Sequence, residues 1–91
     1  MARLLVVDDE KGIRDALAQP FEYEGHVVAT AEDGRAGIEM ASKARPDVIF
    51  LDVKMPGLDG LDVLARLRDD DPTALVVMIS GHGTIDTAVE A

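Results

Sequence analysis

The run Val48-Ile49-Phe50-Leu51-Asp52 decides the fold. Four apolar residues in unbroken succession read as a strand covered on both faces, the mark of a parallel sheet. The strand ends in a carboxylate, and Val53-Lys54-Met55-Pro56-Gly57 then turns the chain away. A second run of the same make, Leu4-Leu5-Val6-Val7, ends in Asp8-Asp9. Side by side in one parallel sheet, the two strands hold three carboxylates, Asp8, Asp9 and Asp52, in one small pocket. Carboxylates that close raise one another's pKa. A hard cation removes the conflict, so the pattern predicts a magnesium-type oxygen site.

Working outward, strand-like and helix-like segments alternate along the whole chain. Arg3–Val7 reads as a strand, and Lys11–Glu24 as a helix with Ile13, Ala16, Leu17 and Phe21 on one side. Gly25 is a helix stop. His26–Thr30 is a short β-branched strand, and Gly34–Lys43 a helix with Ile38 and Ala41 inward. Pro46 blocks that helix, and Asp47–Leu51 is the third strand. Pro56-Gly57 and Asp59-Gly60 are turn signals. Leu61–Asp70 is a helix with Leu61, Leu64 and Leu67 in register, and Ala74–Ile79 a fourth strand. Thr84 reads as the N-cap of a further helix. The pattern βαβαβαβα predicts an α/β fold, a doubly wound parallel sheet with helices on both faces. In open sheets of this kind ligands bind at the carboxyl ends of the strands. Asp8, Asp9, Asp52 and Ser80 all fall there.

Composition narrows the function. The chain has 91 residues, which is one short domain with a thin stability margin. It has no cysteine, so disulfides, thiolate zinc sites and cysteine nucleophiles are excluded. The net charge of −9 argues against direct nucleic-acid binding, which needs a basic footprint. It suits a partner with a basic face. No apolar stretch approaches the roughly 20 residues of a membrane span. The first residues lack a signal-peptide layout, so a cytoplasmic location is expected.

Asp52 is a candidate nucleophile, because carboxylates form aspartyl-phosphate intermediates. A lone strand-end Asp is more often a cap or loop acid; three acids at two strand ends favour a functional site. Asp8-Asp9-Glu10 also suits a helix N-terminus, where the dipole favours acids; one of the pair can shape the turn while the other ligates. Ser80 can donate to a phosphoryl oxygen or be an ordinary turn serine. Lys54 offers its backbone carbonyl as a ligand. Gly81-His82-Gly83-Thr84-Ile85-Asp86 starts like a dinucleotide fingerprint, but Asp86 stands at the third glycine position and the segment follows the fourth strand rather than the first. His26 and His82 have no ligand-spaced partners and read as surface or turn residues.

The chain resembles a two-component response-regulator receiver domain. The stretch 46–60, Pro-Asp-Val-Ile-Phe-Leu-Asp-Val-Lys-Met-Pro-Gly-Leu-Asp-Gly, is similar to that family's phosphoacceptor block nearly position for position. Leu4–Glu10 resembles its first strand and acidic pair, and Val77–Gly83 its hydroxyl-bearing fourth strand. Ser80-Gly81-His82-Gly83-Thr84-Ile85 is similar to receivers of nitrogen-regulation-type activators. The resemblance implies a flavodoxin-like sheet of strand order 2-1-3-4, with the family's fifth strand and fifth helix lacking. It implies residues 1–91 as a receiver domain incomplete at its C-terminal end, without the family's phosphate-contacting lysine or its aromatic switch residue. It also implies phosphoryl transfer from a sensor histidine kinase to Asp52. Asp9, Asp52 and the Lys54 carbonyl would bind Mg²⁺, Asp8 would act through water, and Ser80 would bond the phosphoryl oxygen. A downstream output domain would read the changed surface. Turnover catalysis is not implied beyond self-catalysed transfer and autodephosphorylation.

Two rivals remain at this point. One is a non-phosphorylated interaction or self-association module. The other is an aspartate-nucleophile phosphatase, which wants a second acid where Lys54 stands. With no fifth strand, Ala74–Ile79 becomes an open apolar edge, which predicts self-association. Pro20 is expected on the inward face of the first helix, where the bond to Ala16 is lost.

Overall fold

A computed structural model describes residues 1–52, 60–79 and 85–88, the last four as backbone. The elements are β1 (Arg3–Val7), α1 (Lys11–Tyr23), β2 (Val27–Ala31), α2 (Gly34–Ala44), β3 (Val48–Asp52), α3 (Gly60–Asp70), β4 (Leu75–Ile79) and β5 (Ile85–Ala88). The sheet order is β2-β1-β3-β4-β5. The first four strands are parallel, in the expected order 2-1-3-4, which is the flavodoxin-like arrangement.

Strand alternation divides the core into two layers. Leu5, Val7, Ile49, Leu51 and Val76 point to one face, where Ala41 of α2 and Val63 and Leu67 of α3 cover them. Leu4, Val6 and Phe50 point to the other, the side of α1, and the rings of Phe21 and Phe50 stack at 5.5 Å between centroids. Because both faces are covered, the strands carry apolar residues at consecutive positions.

Helix ends follow their local chemistry. Asp33 caps α2 by accepting from the Ala36 amide at 2.8 Å. Arg45 closes α2 in the left-handed region at φ 49°, and Pro46 follows. Gly25 sits at φ 94° directly after α1, a conformation that costs glycine little.

Several expectations shift by one residue. β2, β3 and β4 each begin one residue later than predicted, and β2 and β3 end one later too. On α1 the buried position is Ala18, with Leu17 and Phe21 half-buried; Ala16 is exposed and Ile13 is 38% exposed. Pro20 is therefore on the solvent side rather than the inward face, and the helix runs past it to Tyr23. Proline costs the helix its own bond to the Ala16 carbonyl, while the amides after it still bond, Glu24 donating to the Pro20 carbonyl at 3.2 Å. On α3, Val63 rather than Leu61 is buried, and Leu61 is 65% exposed.

The larger correction lies after β4. A helix was expected from Thr84, which falls outside the described residues, yet Ile85–Ala88 is a strand. It pairs antiparallel with β4, from Ile79 opposite Ile85 to Val76 opposite Ala88. It is not the family's parallel fifth strand. Its physical rationale is the open ladder of β4, whose unpaired amides and carbonyls gain partners. The predicted open edge at Ala74–Ile79 is thereby closed, and the argument for self-association through it loses its premise.

Close approach of α2 to β1 sets a first expected outcome. A Cβ on Gly37 would stand 2.8 and 3.0 Å from the two methyls of Val7. Val7 is fully buried, and a valine has little χ1 freedom to retreat. Gly37→Ala should lose about 1–3 kcal/mol to overpacking against a helix-propensity gain of about 1 kcal/mol. The expected net loss shows as a lower urea midpoint; a midpoint at or above wild type would mean that α2 lifts without cost.

Candidate functional site

Asp8 directly follows β1, and Asp52 is the last residue of β3. The register pairs Val7 with Leu51, so the next residue on each strand is an acid at the same level. One carboxylate oxygen each from Asp8, Asp9 and Asp52 lies within 4.8 Å of the others. Asp8 is 1% exposed and Asp52 7%, while Asp9 faces solvent. The cluster lies at the carboxyl ends of the parallel strands, where the sequence placed it.

Local bonds fix Asp8. Its amide donates to the Ala31 carbonyl at 3.1 Å, at the end of β2. Its Oδ1 accepts from the Glu10 amide at 2.8 Å, an Asx turn that leads the chain into α1. Glu10 is the N-cap residue of α1 and makes no side-chain cap bond, and the first turn of α1 carries no acid. The acid that shapes this helix entry is therefore Asp8, two residues ahead of the cap.

Burial pushes the Asp8 carboxyl above its ordinary value, the Glu10 amide bond opposes this, and the Asp52, Asp9 and Glu10 carboxylates raise it further. The donor set suits a hard divalent cation: it is all oxygen, two of the three acids are buried, and their repulsion is relieved by positive charge.

Ser80, Lys54 and His82 lie outside the described residues. His26 is half-buried, and its Nδ1 accepts from the Ala2 amide at 2.9 Å, so it ties down the start of the chain. The sequence reading missed Arg14, whose guanidinium reaches the Asp8 carbonyl at 2.7 Å. The available signal was a cation at the start of α1, six residues after Asp8.

A parallel sheet of order 2-1-3-4 with an acid cluster at the carboxyl ends of its strands defines an α/β protein of the flavodoxin-like class. The sequence model of the response regulator receiver domain matches residues 4–91, and the chain belongs to that family. Membership carries the role of phosphoacceptor in two-component signalling. Among curated relatives, the chain is similar to sporulation initiation phosphotransferase F of Bacillus subtilis, 35% identical over 98% of this chain and 72% of that protein. It is also similar to the nitrogen assimilation regulatory protein NtrX of Azorhizobium caulinodans, 43% identical over 97% of this chain but only 20% of that protein. Among solved structures, Vibrio cholerae chemotaxis protein CheY4 superposes with a TM-score of 0.81 at 36% identity, over 87% of this chain and 68% of that one. NtrX of Brucella abortus superposes at 0.84 and 42% identity, over 91% of this chain and 19% of that one. Among the described residues, no helix is long and apolar enough to cross a membrane.

Proposed function

We propose that Asp52 accepts a phosphoryl group from a phosphohistidine of a sensor histidine kinase, with Mg²⁺ in the acid pocket. The observation that carries this reading is the meeting of Asp52 with Asp8 and Asp9 within 4.8 Å. An Asp52 carboxylate oxygen attacks phosphorus, the P–N bond to the histidine breaks, and an acyl phosphate forms on Asp52. Asp9, Asp52 and the Lys54 carbonyl would hold the cation, and Asp8 would act through water. When bound, the cation supplies positive charge against the phosphoryl oxygens. The Ser80 hydroxyl donates to one of those oxygens. Buried Asp8 keeps its turn in place and keeps the pocket anionic.

In this reading the phosphorylated surface is read by a downstream output domain, and the relatives that are transcriptional regulators fit that arrangement. The net charge of −9 leaves nucleic-acid contact to the output domain rather than to this chain. The setting is cytoplasmic, where phosphodonor and kinase meet it.

The test is intact-mass analysis after incubation with a small acyl-phosphate donor and Mg²⁺. One phosphoryl adduct is expected on the wild type, none on Asp52→Asn, and none when a chelator removes the metal. An adduct that persists in Asp52→Asn would refute the assignment.

A further inference from the structure

Arg14 is half-buried in the first turns of α1, next to the turn that carries Asp8 and Asp9. Its Nη1 donates to the Asp8 carbonyl at 2.7 Å, and its backbone amide donates to the Glu10 carbonyl at 3.0 Å. One residue thus grips both ends of the turn Asp8-Asp9-Glu10. Asp9, in the middle, faces solvent, and its direction is set by the backbone that carries it. The guanidinium bonds the Asp8 main-chain carbonyl, so its grip is on the backbone of the turn.

We propose that Arg14 is a positioning residue for cation binding: by clamping the Asp8 carbonyl it holds Asp9 at ligating distance from Asp52. The proposal rests on the reading of Asp9 and Asp52 as cation ligands. Two features of arginine suit the task. It stays charged at every relevant pH, and its fork is preorganised, so less entropy is lost per bond than with lysine. Groups that orient metal ligands contribute strongly to affinity, and their loss costs about 10–100-fold.

The experiment compares Arg14→Met, which keeps the apolar stem, and Arg14→Lys with the wild type in the 91-residue chain. Magnesium chloride is titrated while amide resonances and the thermal midpoint are followed, with Asp52→Ala as the control for the site. The expected result is a roughly tenfold weaker Mg²⁺ dissociation constant in Arg14→Met and a smaller weakening in Arg14→Lys. A structural tie alone would lower the metal-free midpoint and leave the Mg²⁺ constant unchanged, and that result overturns the proposal. Arg14→Lys carries the same comparison if Arg14→Met does not fold: a wild-type constant in it overturns the proposal, and a weaker one supports it. Magnesium binding that survives in Asp52→Ala instead overturns the ligand assignment on which the proposal stands.

Discussion

Leu51→Ala is expected to remove a large share of the domain's stability, and Leu61→Ala almost none. Leu51 is fully buried one residue before Asp52, packed in the layer with Ile49, Val63 and Leu67. Truncating such a leucine costs about 2–5 kcal/mol, because the lost transfer energy adds to a cavity that a sheet cannot close. A domain of this length has roughly 5–14 kcal/mol in all. Leu61 is 65% exposed on α3, and alanine is a better helix former. Its replacement should stay within about 0.5 kcal/mol. Urea unfolding separates the two, with equal slopes and midpoints far apart. Equal midpoints would mean that α3 presents a different face to the sheet.

That pair of leucines also shows what the chain discloses about itself. The parallel sheet was legible because Leu4–Val7 and Val48–Leu51 are unbroken apolar runs, a pattern that few environments accept. The acid cluster was legible for the same reason: each run stops at an aspartate, and parallel register places strand ends together. Helix faces were less legible. In Leu61–Asp70 the leucines at 61, 64 and 67 fit helical spacing, but so does the set of Gly60, Val63 and Leu67, and packing against Leu51 and Ile49 selects the second. On the first helix the buried position is Ala18, and Pro20 faces outward. The strand at Ile85–Ala88 was not legible, since local sequence favours a capped helix there and only the open side of β4 offers a competing ladder. Arg14 escaped notice because its partner is a backbone carbonyl, so a cation six residues after Asp8 was the one hint of the bond.

Magnesium and protons are expected to stabilise the protein at opposite ends of the pH scale. The folded-state pKa of Asp8 lies above its ordinary value of 3.8, chiefly through burial. The folded chain therefore binds that proton more tightly than the unfolded chain does. The resulting stability is complete below the unfolded value and is lost as pH rises through the folded one. Asp8→Asn keeps an oxygen for the Glu10 amide and abolishes the buried charge. Without metal it should melt above the wild type at neutral pH, with the difference shrinking to nothing in acid, where both side chains are neutral. Added Mg²⁺ reverses the order. Ligation needs ionised carboxylates, so it grows with pH, and at a hundredfold excess over the dissociation constant it is worth about 2.7 kcal/mol. The wild type should then gain more than Asp8→Asn, and Asp52→Ala should gain nothing. Melting curves from acid to neutral pH, with chelator or with magnesium, test each step. If the metal-free Asp8→Asn variant melts below the wild type at neutral pH, the Asp8 carboxylate is a net stabiliser in place, and the cation is not needed to relieve it.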